Sequence, residues 1–270
     1  MENTRAKTTR NSLILLLTAT IWGMAFVSQS KGMDYMHPFT FNGVRSLIGA
    51  AGILVYILIS RKIAGDKAAK LDWKLNVKAG LLCGIFLTIA STLQQFGIKY
   101  TSVGKAGFIT TLYIIFVPMF GIFLKKKVAP VVWAAASMAA VGMYLLCMTE
   151  SLRLGAGDIM VFLCAIAFAI QIMTVDHYAA RIDGAVVSCI QFTVCGVVCC
   201  IGALIWGQPT FGQIQEGLGA LLYAGVLSCG VGYTLQIVGQ KGLNPTVAAL
   251  IMSLESIIAT ISGWIAYKIG

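Results

Sequence analysis

The feature that most constrains this chain is a series of apolar runs, each long enough to cross a lipid bilayer. About 20 helical residues span the roughly 30 Å hydrocarbon layer. Hydrophobic residues make up 58% of the chain and charged residues only 11%, too few to cover a water-soluble surface. We therefore predict an all-α polytopic membrane protein, a helical bundle of nine spans at about 12–30, 39–60, 77–97, 105–124, 131–149, 158–175, 184–206, 218–239 and 246–266.

The basic residues predict how these spans are oriented. With the N-terminus in the cytoplasm, 14 of the 20 Lys and Arg residues lie on the cytoplasmic side and 5 on the other, while Arg45 lies inside a span. Loops rich in Lys and Arg remain in the cytoplasm, and the loop at 61–78 carries six of them. The basic residues are spread between spans, so the net charge of +10 reflects topology and no nucleic-acid partner is expected.

The chain also contains an internal repeat. The segment "TLQQFGIK" at 92–99 returns as "TLQIVGQK" at 234–241, an offset of 142, and matches continue into the next span. The first two spans of each half align more weakly, at an offset of 146. The repeat unit then holds five spans, an odd number, so the second copy enters the membrane from the opposite face. We predict two inverted units, 1–150 and 151–270. The second lacks its tenth helix, either naturally or by truncation.

Small residues predict close helix contacts and kinks. Gly80 and Gly84 form a GxxxG pattern that lets helices approach closely. Pro118 and Gly121 interrupt the fourth span, and the glycines at 230 and 232 loosen the eighth. We expect a simple kink at each of these places.

Several motifs in order carry a family resemblance. They are "WGMAF" in the first span, "VRSLIGA" six residues after Pro38, "GIKYTSVGKAGFITTLYIIFVP", and "QKGLNPTVAALIMSLESIIATISGW". With these the chain resembles EamA-type members of the drug/metabolite transporter superfamily. It departs from them in having Ser256 after Glu255, where members often have proline, and in lacking a tenth helix. The resemblance implies a ten-helix fold with a central cavity in a bacterial inner membrane. It also implies transport, in many members export, of metabolites, amino acids or drugs.

Two ionisable residues lie well inside predicted spans, and charges in that position are costly enough to suggest function. Arg45 either snorkels, anchors its helix or forms a structural ion pair, or it attracts a substrate carboxylate or phosphate. Glu255 is either a packing residue, or a proton-coupling group or partner for a substrate amine. Burial disfavours a charged carboxylate, which suits a proton carrier.

Neutral polar and aromatic side chains complete the candidate substrate-binding wall. Trp22 lies too deep in its span for an interfacial belt, and Tyr113 occupies the repeat position of Glu255. Each polar side chain has an alternative role in hydrogen bonding between helices. Besides Arg45, the candidates are Trp22, Gln94, Gln95, Tyr113, Gln171, Gln191, Tyr233 and Gln236.

The remaining residues favour transport over catalysis. The eight cysteines lie in spans, where packing accounts for them, and the two histidines lack zinc-site spacing. We expect that the protein binds no metal or cofactor and is not an enzyme. We predict a secondary transporter that exports small metabolites, amino acids or drug-like compounds by alternating access, with the bilayer and a small-molecule substrate as partners. Proton coupling and a homodimer are open alternatives. A membrane-embedded enzyme or a channel is the alternative.

Overall fold

The computed structural model describes residues 2–65, 71–124 and 155–269, together with positions 130, 133, 134, 137, 138, 141 and 142. These residues form helices and connecting turns and contain no strand. Eight helical stretches are long and apolar enough to cross a membrane. They coincide with eight of the predicted spans and confirm an all-α polytopic membrane protein. The predicted fifth span, 131–149, lies largely outside the described residues.

The first half begins with three long helices and continues with a span built from two shorter ones. The second half has the same order but contains two π-helical segments, Ala203–Gly207 and Tyr223–Gly232. The helices are α1 Glu2–Tyr35, α2 Pro38–Ala64, α3 Trp73–Ile98, α4 Val103–Thr110, α5 Tyr113–Phe123, α6 Ala156–Tyr178, α7 Gly184–Gly202, α8 Phe211–Glu216, α9 Leu218–Leu222, α10 Tyr233–Gln240, α11 Pro245–Met252 and α12 Glu255–Ile269.

Short polar residues fix where the helices begin. The carboxylate of Asp72 accepts a hydrogen bond from the amide of Leu75 at the start of α3, and Asp183 does the same at the start of α7. Such caps satisfy amide groups that have no partner in the first helical turn. Proline follows the capping residue at the start of α2 and of α11, where its missing N–H costs nothing.

Glycines allow the central helices to pack closely. A Cβ atom on Gly80 would lie 2.7 Å from the Cβ of Ile190, and one on Gly84 would lie 2.9 Å from that of Val194. Both neighbours belong to α7, so the GxxxG pattern is a helix-packing site as predicted. Farther along α3, a Cβ on Gly97 would lie 2.8 Å from the carbonyl oxygen of Gly157 in α6. The core therefore depends on close backbone contacts between α3 and both α6 and α7.

The two composite spans break at equivalent positions. Between α4 and α5, three amides bond to the carbonyl three residues earlier, starting with Leu112 to Ile109. Between α11 and α12 the same three bonds recur 142 residues later, starting with Leu254 to Ile251. Such tight turns end one helix and redirect the next. The expected interruption at Pro118 and Gly121 is thus wrong: α5 runs through both, and the break lies before Tyr113.

These two spans also run in opposite directions against each other. Residue numbers rise along one span as they fall along the other, with Gly104 facing Thr260, Gly107 facing Ala259 and Tyr113 bonded to Glu255. The loosening expected at 230 and 232 takes the form of the second π-helical segment, which begins at Tyr223. Its wider turn carries Ser228 and Cys229 to the centre of the bundle.

Candidate functional site

A cavity lies at the centre of the bundle, and every described span contributes to its wall. Its empty volume is about 580 Å³, including the crevices that open from it, but only about 40 Å³ admits the centre of a water-sized molecule. The cavity is therefore nearly closed and holds room for a few waters at most. It is lined by Trp22, Ala25, Phe26, Gln29, Arg45, Ser46, Leu87, Ser91, Gln94, Thr110, Tyr113, Phe168, Gln171, Ile172, Phe192, Ser228, Cys229, Tyr233, Gln236 and Glu255.

Glu255 and Tyr113 meet in this cavity as a buried hydrogen-bonded pair. The Tyr113 hydroxyl donates to Oε1 of Glu255 over 3.0 Å, and the residues are 2% and 3% exposed. Each is the first residue of the second half of a broken span, α5 or α12. They are also equivalent residues of the sequence repeat. The two broken spans thus place Glu255, the one carboxyl of the described cavity wall, against Tyr113, which occupies the equivalent position of the first repeat.

Arg45 projects into the same cavity from α2. The residue is only 5% exposed, so the expectation that it snorkels to the membrane surface is wrong. The guanidinium carbon lies 5.4 Å above the ring of Phe41, a cation–π distance. Its Nε has no hydrogen-bond partner, and none of the described carboxylates lies within ion-pair distance. Arg45 is therefore an enclosed cation without a countercharge in the described structure.

The candidate glutamines divide between the cavity wall and the layer behind it. Gln94 donates to Thr110 over 3.2 Å, and Gln236 donates to Gln171 over 3.2 Å. All four side chains line the cavity. Gln171 in turn donates to Gln191 over a long 3.5 Å, which places Gln191 behind the wall. These bonds join α3 to α4, and they join α6 to both α10 and α7.

Gln95 lies elsewhere. It is fully buried, does not line the cavity and donates to the backbone oxygen of Gln29 over 3.1 Å. Its position in α3 follows from the helical period, which turns adjacent residues about 100° apart. Gln94 faces the cavity, so Gln95 faces α1 instead. Gln95 thus makes the kind of interhelical bond that was the alternative interpretation for every candidate.

Aromatic side chains form one wall of the cavity. The rings of Trp22 and Tyr233 are 4.5 Å apart, and Phe192 meets Tyr233 edge-on at 5.0 Å. The indole N–H of Trp22 donates over 3.4 Å to the backbone oxygen of Ser228 in the second π-helical segment. Sequence reasoning missed Phe192 and Phe26. Phe26 follows Trp22 by one helical turn, a spacing that could have identified it.

The cysteines next to the cavity bond to hydroxyl groups. Ser46 donates to the Cys195 sulfur over 3.4 Å, and Ser91 lies 3.4 Å from the same sulfur. The Cys199 sulfur lies 3.6 Å from the hydroxyl of Thr92. Both thiols therefore join α7 to its neighbours, in keeping with the packing role favoured by the sequence.

The two ends of the bundle differ. At the Lys105 end, the Lys105 ammonium lies 2.7 Å from Asp158, which also accepts from the Thr101 hydroxyl over 2.7 Å and from the Gly155 amide over 2.9 Å. At the opposite end, called here the Arg61 end, a crevice much wider than the central cavity opens. Three basic residues line it, namely Arg61, Arg181 and Lys241.

Comparison with known proteins places the chain among membrane transporters. An uncharacterized transporter of Archaeoglobus fulgidus is 30% identical over 171 residues, 61% of this chain and 48% of that protein, so the match spans about half of its length. An uncharacterized transporter of Clostridium kluyveri is 24% identical over 92% of this chain and 83% of its own. The uncharacterized transporter YwfM of Bacillus subtilis is 27% identical over 93% and 84%.

A solved crystal structure and a family model agree with these relatives. The crystal structure superposes with a TM-score of 0.73 over 94% of this chain and 86% of the other, at 16% identity, so it shares the fold. The EamA-like transporter family model matches residues 10–148 and again 155–269. The chain is a multi-pass membrane protein that belongs to the EamA-like transporter family.

Proposed function

We propose that this protein is a secondary transporter that exports small metabolites, amino acids or drug-like compounds by alternating access. The central cavity is the substrate site, with Trp22, Arg45, Gln94, Tyr113 and Tyr233 among its binding residues. The observation that carries the proposal is the Tyr113–Glu255 pair, in which equivalent residues of two oppositely directed broken spans meet in an enclosed cavity. Inverted repeats around a central site are a recurring plan of secondary transporters.

The inverted-repeat organisation has support from the helix breaks. The tight turns at Leu112 and Leu254 use the same bonds at the sequence offset of 142, and the two spans run antiparallel. Two such units rock against each other around the cavity between them. In this proposal the nearly closed cavity must widen before it binds substrate.

Glu255 couples transport to protons in this proposal. The carboxyl is buried, and burial disfavours its charged form, so it crosses the enclosed state as the neutral acid. When the cavity opens to water on one side, the carboxylate becomes solvated and releases its proton there. The Tyr113 hydroxyl holds the carboxyl in place during the cycle. Proton entry from outside the cell would drive substrate in the opposite direction.

The orientation belongs to the same proposal. The N-terminus and the loop at 61–78 lie in the cytoplasm of a bacterial cell, as the distribution of Lys and Arg predicts. The Arg61 end then faces the cytoplasm and its crevice is the entrance for exported substrate. The Lys105 end faces outward and is the end at which the proton enters.

Replacing Glu255 by Gln tests the coupling. Gln keeps the size of the side chain and accepts from Tyr113, but it does not titrate. After export screening in whole cells supplies a substrate, we expect the Glu255→Gln protein to retain exchange in proteoliposomes but lose uphill transport driven by a pH gradient. The exposed Glu216→Gln protein is the matched control and keeps both.

The outcomes separate the roles of Glu255. Equal responses of wild type and Glu255→Gln to the pH gradient would remove Glu255 from proton coupling and leave it as a packing residue. Loss of exchange together with uphill transport would make it a substrate-binding group. If wild type shows neither saturable flux nor exchange of any exported compound, the transport proposal itself fails.

A further inference from the structure

We propose that the central cavity binds a small organic monocarboxylate, whose carboxylate pairs with Arg45 and whose apolar body lies against the aromatic wall. The inference rests on the transport function proposed above and names its substrate class. It is carried by the juxtaposition of an enclosed guanidinium, a cavity of limited size and a set of aromatic rings from four spans.

The first step is the charge of Arg45. Its guanidinium keeps its proton in any protein environment, so it cannot become neutral when it is buried. A buried cation is retained at high cost unless an anion or hydrogen-bond acceptors surround it. Arg45 contacts the ring of Phe41, its Nε has no partner, and no described carboxylate is paired with it. The wall therefore presents a donor group that an incoming anion would satisfy.

The second step excludes the nearest carboxyl as the countercharge. Glu255 is the acidic residue of the described cavity wall, and its Oε1 accepts from Tyr113. It makes no ion pair with Arg45. The other acidic group close to the described core, Asp158, is bound to Lys105 at the Lys105 end. Both carboxyls are thus engaged elsewhere.

The thiols of Cys195 and Cys229 lie close enough to Arg45 to interact with it electrostatically, and either could carry a negative charge in place of an external anion. The Cys195 sulfur accepts a hydrogen bond from the Ser46 hydroxyl of α2 and lies 3.4 Å from the Ser91 hydroxyl of α3. A thiolate at Cys195 is the competing explanation, and replacing this cysteine distinguishes it from an external anion.

The third step selects a carboxylate over a phosphate group. A planar guanidinium matches a carboxylate in a paired, two-bond arrangement. One cation neutralises one carboxylate, whereas a phosphate dianion would retain an unpaired charge in the enclosed cavity. The described wall contains no second basic residue. A monoanion therefore matches the single positive charge of Arg45.

The fourth step concerns the body of the ligand. Trp22, Phe168, Phe192 and Tyr233 supply ring surfaces, and Phe26 closes the same space. Such surfaces bind apolar groups by burial and by stacking. The cavity as described has room for a few waters at most, so it widens to admit a ligand, and its small size before widening favours a small molecule. An acid that carries one ring or a short branched chain fits this description.

The test compares acids with their own amides. Matched pairs, such as 3-phenylpropanoate with 3-phenylpropanamide, differ in charge but not in shape, and benzylphosphonate tests the phosphate-like alternative. Each probe is titrated into the purified full-length protein in detergent while tryptophan fluorescence is followed, because Trp22 lies in the cavity wall. We expect wild type to bind the acids about tenfold or more tightly than the amides, the effect of one charge-assisted bond.

Variants locate the source of this preference. Arg45→Met should bind acid and amide equally, and Arg45→Lys should retain a reduced preference because Lys keeps the charge but not the planar fork. Lys78→Met removes an exposed basic residue of α3 that lines neither the cavity nor the crevice, and should keep the full preference. Cys195→Ala should also keep it. If Arg45→Met does not fold, the wild-type and Arg45→Lys titrations still decide the question.

Several results would overturn the proposal. They are equal binding of acids and amides by wild type, absence of any binding across the panel, tighter binding of phosphonates than of carboxylates, and a preference that first appears in Cys195→Ala. Failure of the transport proposal is distinguishable from these. If Arg45 confers a preference for acids but proteoliposomes show no flux, only the transport proposal fails. If flux occurs without a preference for acids, only the carboxylate assignment fails.

Discussion

The Lys105 end and the Arg61 end of the bundle use charged residues in opposite ways. At the Lys105 end, Lys105 and Asp158 form an ion pair with side chains only 9% and 3% exposed. At the Arg61 end, three basic residues line an open crevice, and the two aspartates beside them cap helices instead. One end is thus sealed by charge pairing, while the other exposes its charge to solvent.

Helix packing follows the same division. At the Lys105 end, Gly97 and Gly157 bring the backbones of α3 and α6 into direct contact. At the Arg61 end, the crevice lies between α2 and α10, and Ile57 and Val238 are among the residues that line it. Separating a buried ion pair costs free energy, whereas the open crevice presents no such barrier. The described conformation is therefore closed at the Lys105 end and accessible at the Arg61 end.

The largest expected effect comes from breaking the ion pair. Asp158→Asn removes the negative charge that pairs with Lys105 and that accepts from Thr101 and the Gly155 amide, which should destabilise the closed arrangement by about 3–5 kcal/mol. We expect a lower melting temperature in detergent. Asp34→Asn, an exposed change at the same end, should stay within about 0.5 kcal/mol of wild type. Equal melting temperatures for the two variants would show that the ion pair does not hold this end closed.

A smaller effect is expected from the glycine contact. A Cβ atom on Gly157 would lie 2.8 Å from the Gly97 oxygen and 2.9 Å from the Tyr100 Cβ, so Gly157→Ala should cost about 1–3 kcal/mol. Gly52 of α2 has no atom within 4 Å of the same added group. Gly52→Ala should therefore be neutral, or stabilising by up to about 1 kcal/mol. Thermal unfolding of both proteins checks the difference, and equal destabilisation would refute close packing as its cause.

The smallest effect on stability is expected from two cysteine probes, which sharpen the comparison by accessibility. In a cysteine-free background, Ser60→Cys in the crevice should change stability by no more than about 0.5 kcal/mol. It should react readily with a membrane-impermeant maleimide in inside-out vesicles. Ala106→Cys, fully buried beside Lys105, should react slowly from either side.

The same probes test the orientation. Under the proposed orientation, Ser60→Cys remains unlabelled in intact cells because the Arg61 end faces the cytoplasm. Labelling from outside would reverse the assignment of the ends. Equal labelling rates for Ser60→Cys and Ala106→Cys in vesicles would contradict the contrast between an open and a closed end.

Much of the fold was predictable because hydropathy is a local property. Eight spans were predicted at their observed places, and the offset of 142 that relates the two sequence segments also relates the two helix breaks. The position of each break was not predictable from proline and glycine. The helix passes through Pro118, whereas the tight turn at Thr111 and Leu112 contains neither residue.

The candidate site was predictable in residue type but not in arrangement. Of the polar and aromatic candidates, eight line the cavity, including Arg45, Tyr113 and Glu255, while Gln95 and Gln191 lie outside the wall. Most of the spans are apolar on several faces, so hydropathy does not fix how each helix is rotated about its axis. The rotation places Gln94 toward the cavity and its neighbour Gln95 toward α1.

The sequence by itself determined where eight spans lie along the chain, which segments repeat, and that Arg45 and Glu255 are ionisable groups inside spans. These follow from composition and order along the chain. Only the tertiary structure decided that Tyr113 bonds Glu255, that Lys105 bonds Asp158, and that Arg45 pairs with none of the described carboxylates. Each of these facts depends on contacts between residues far apart in sequence, which helix packing and backbone approach at glycine establish.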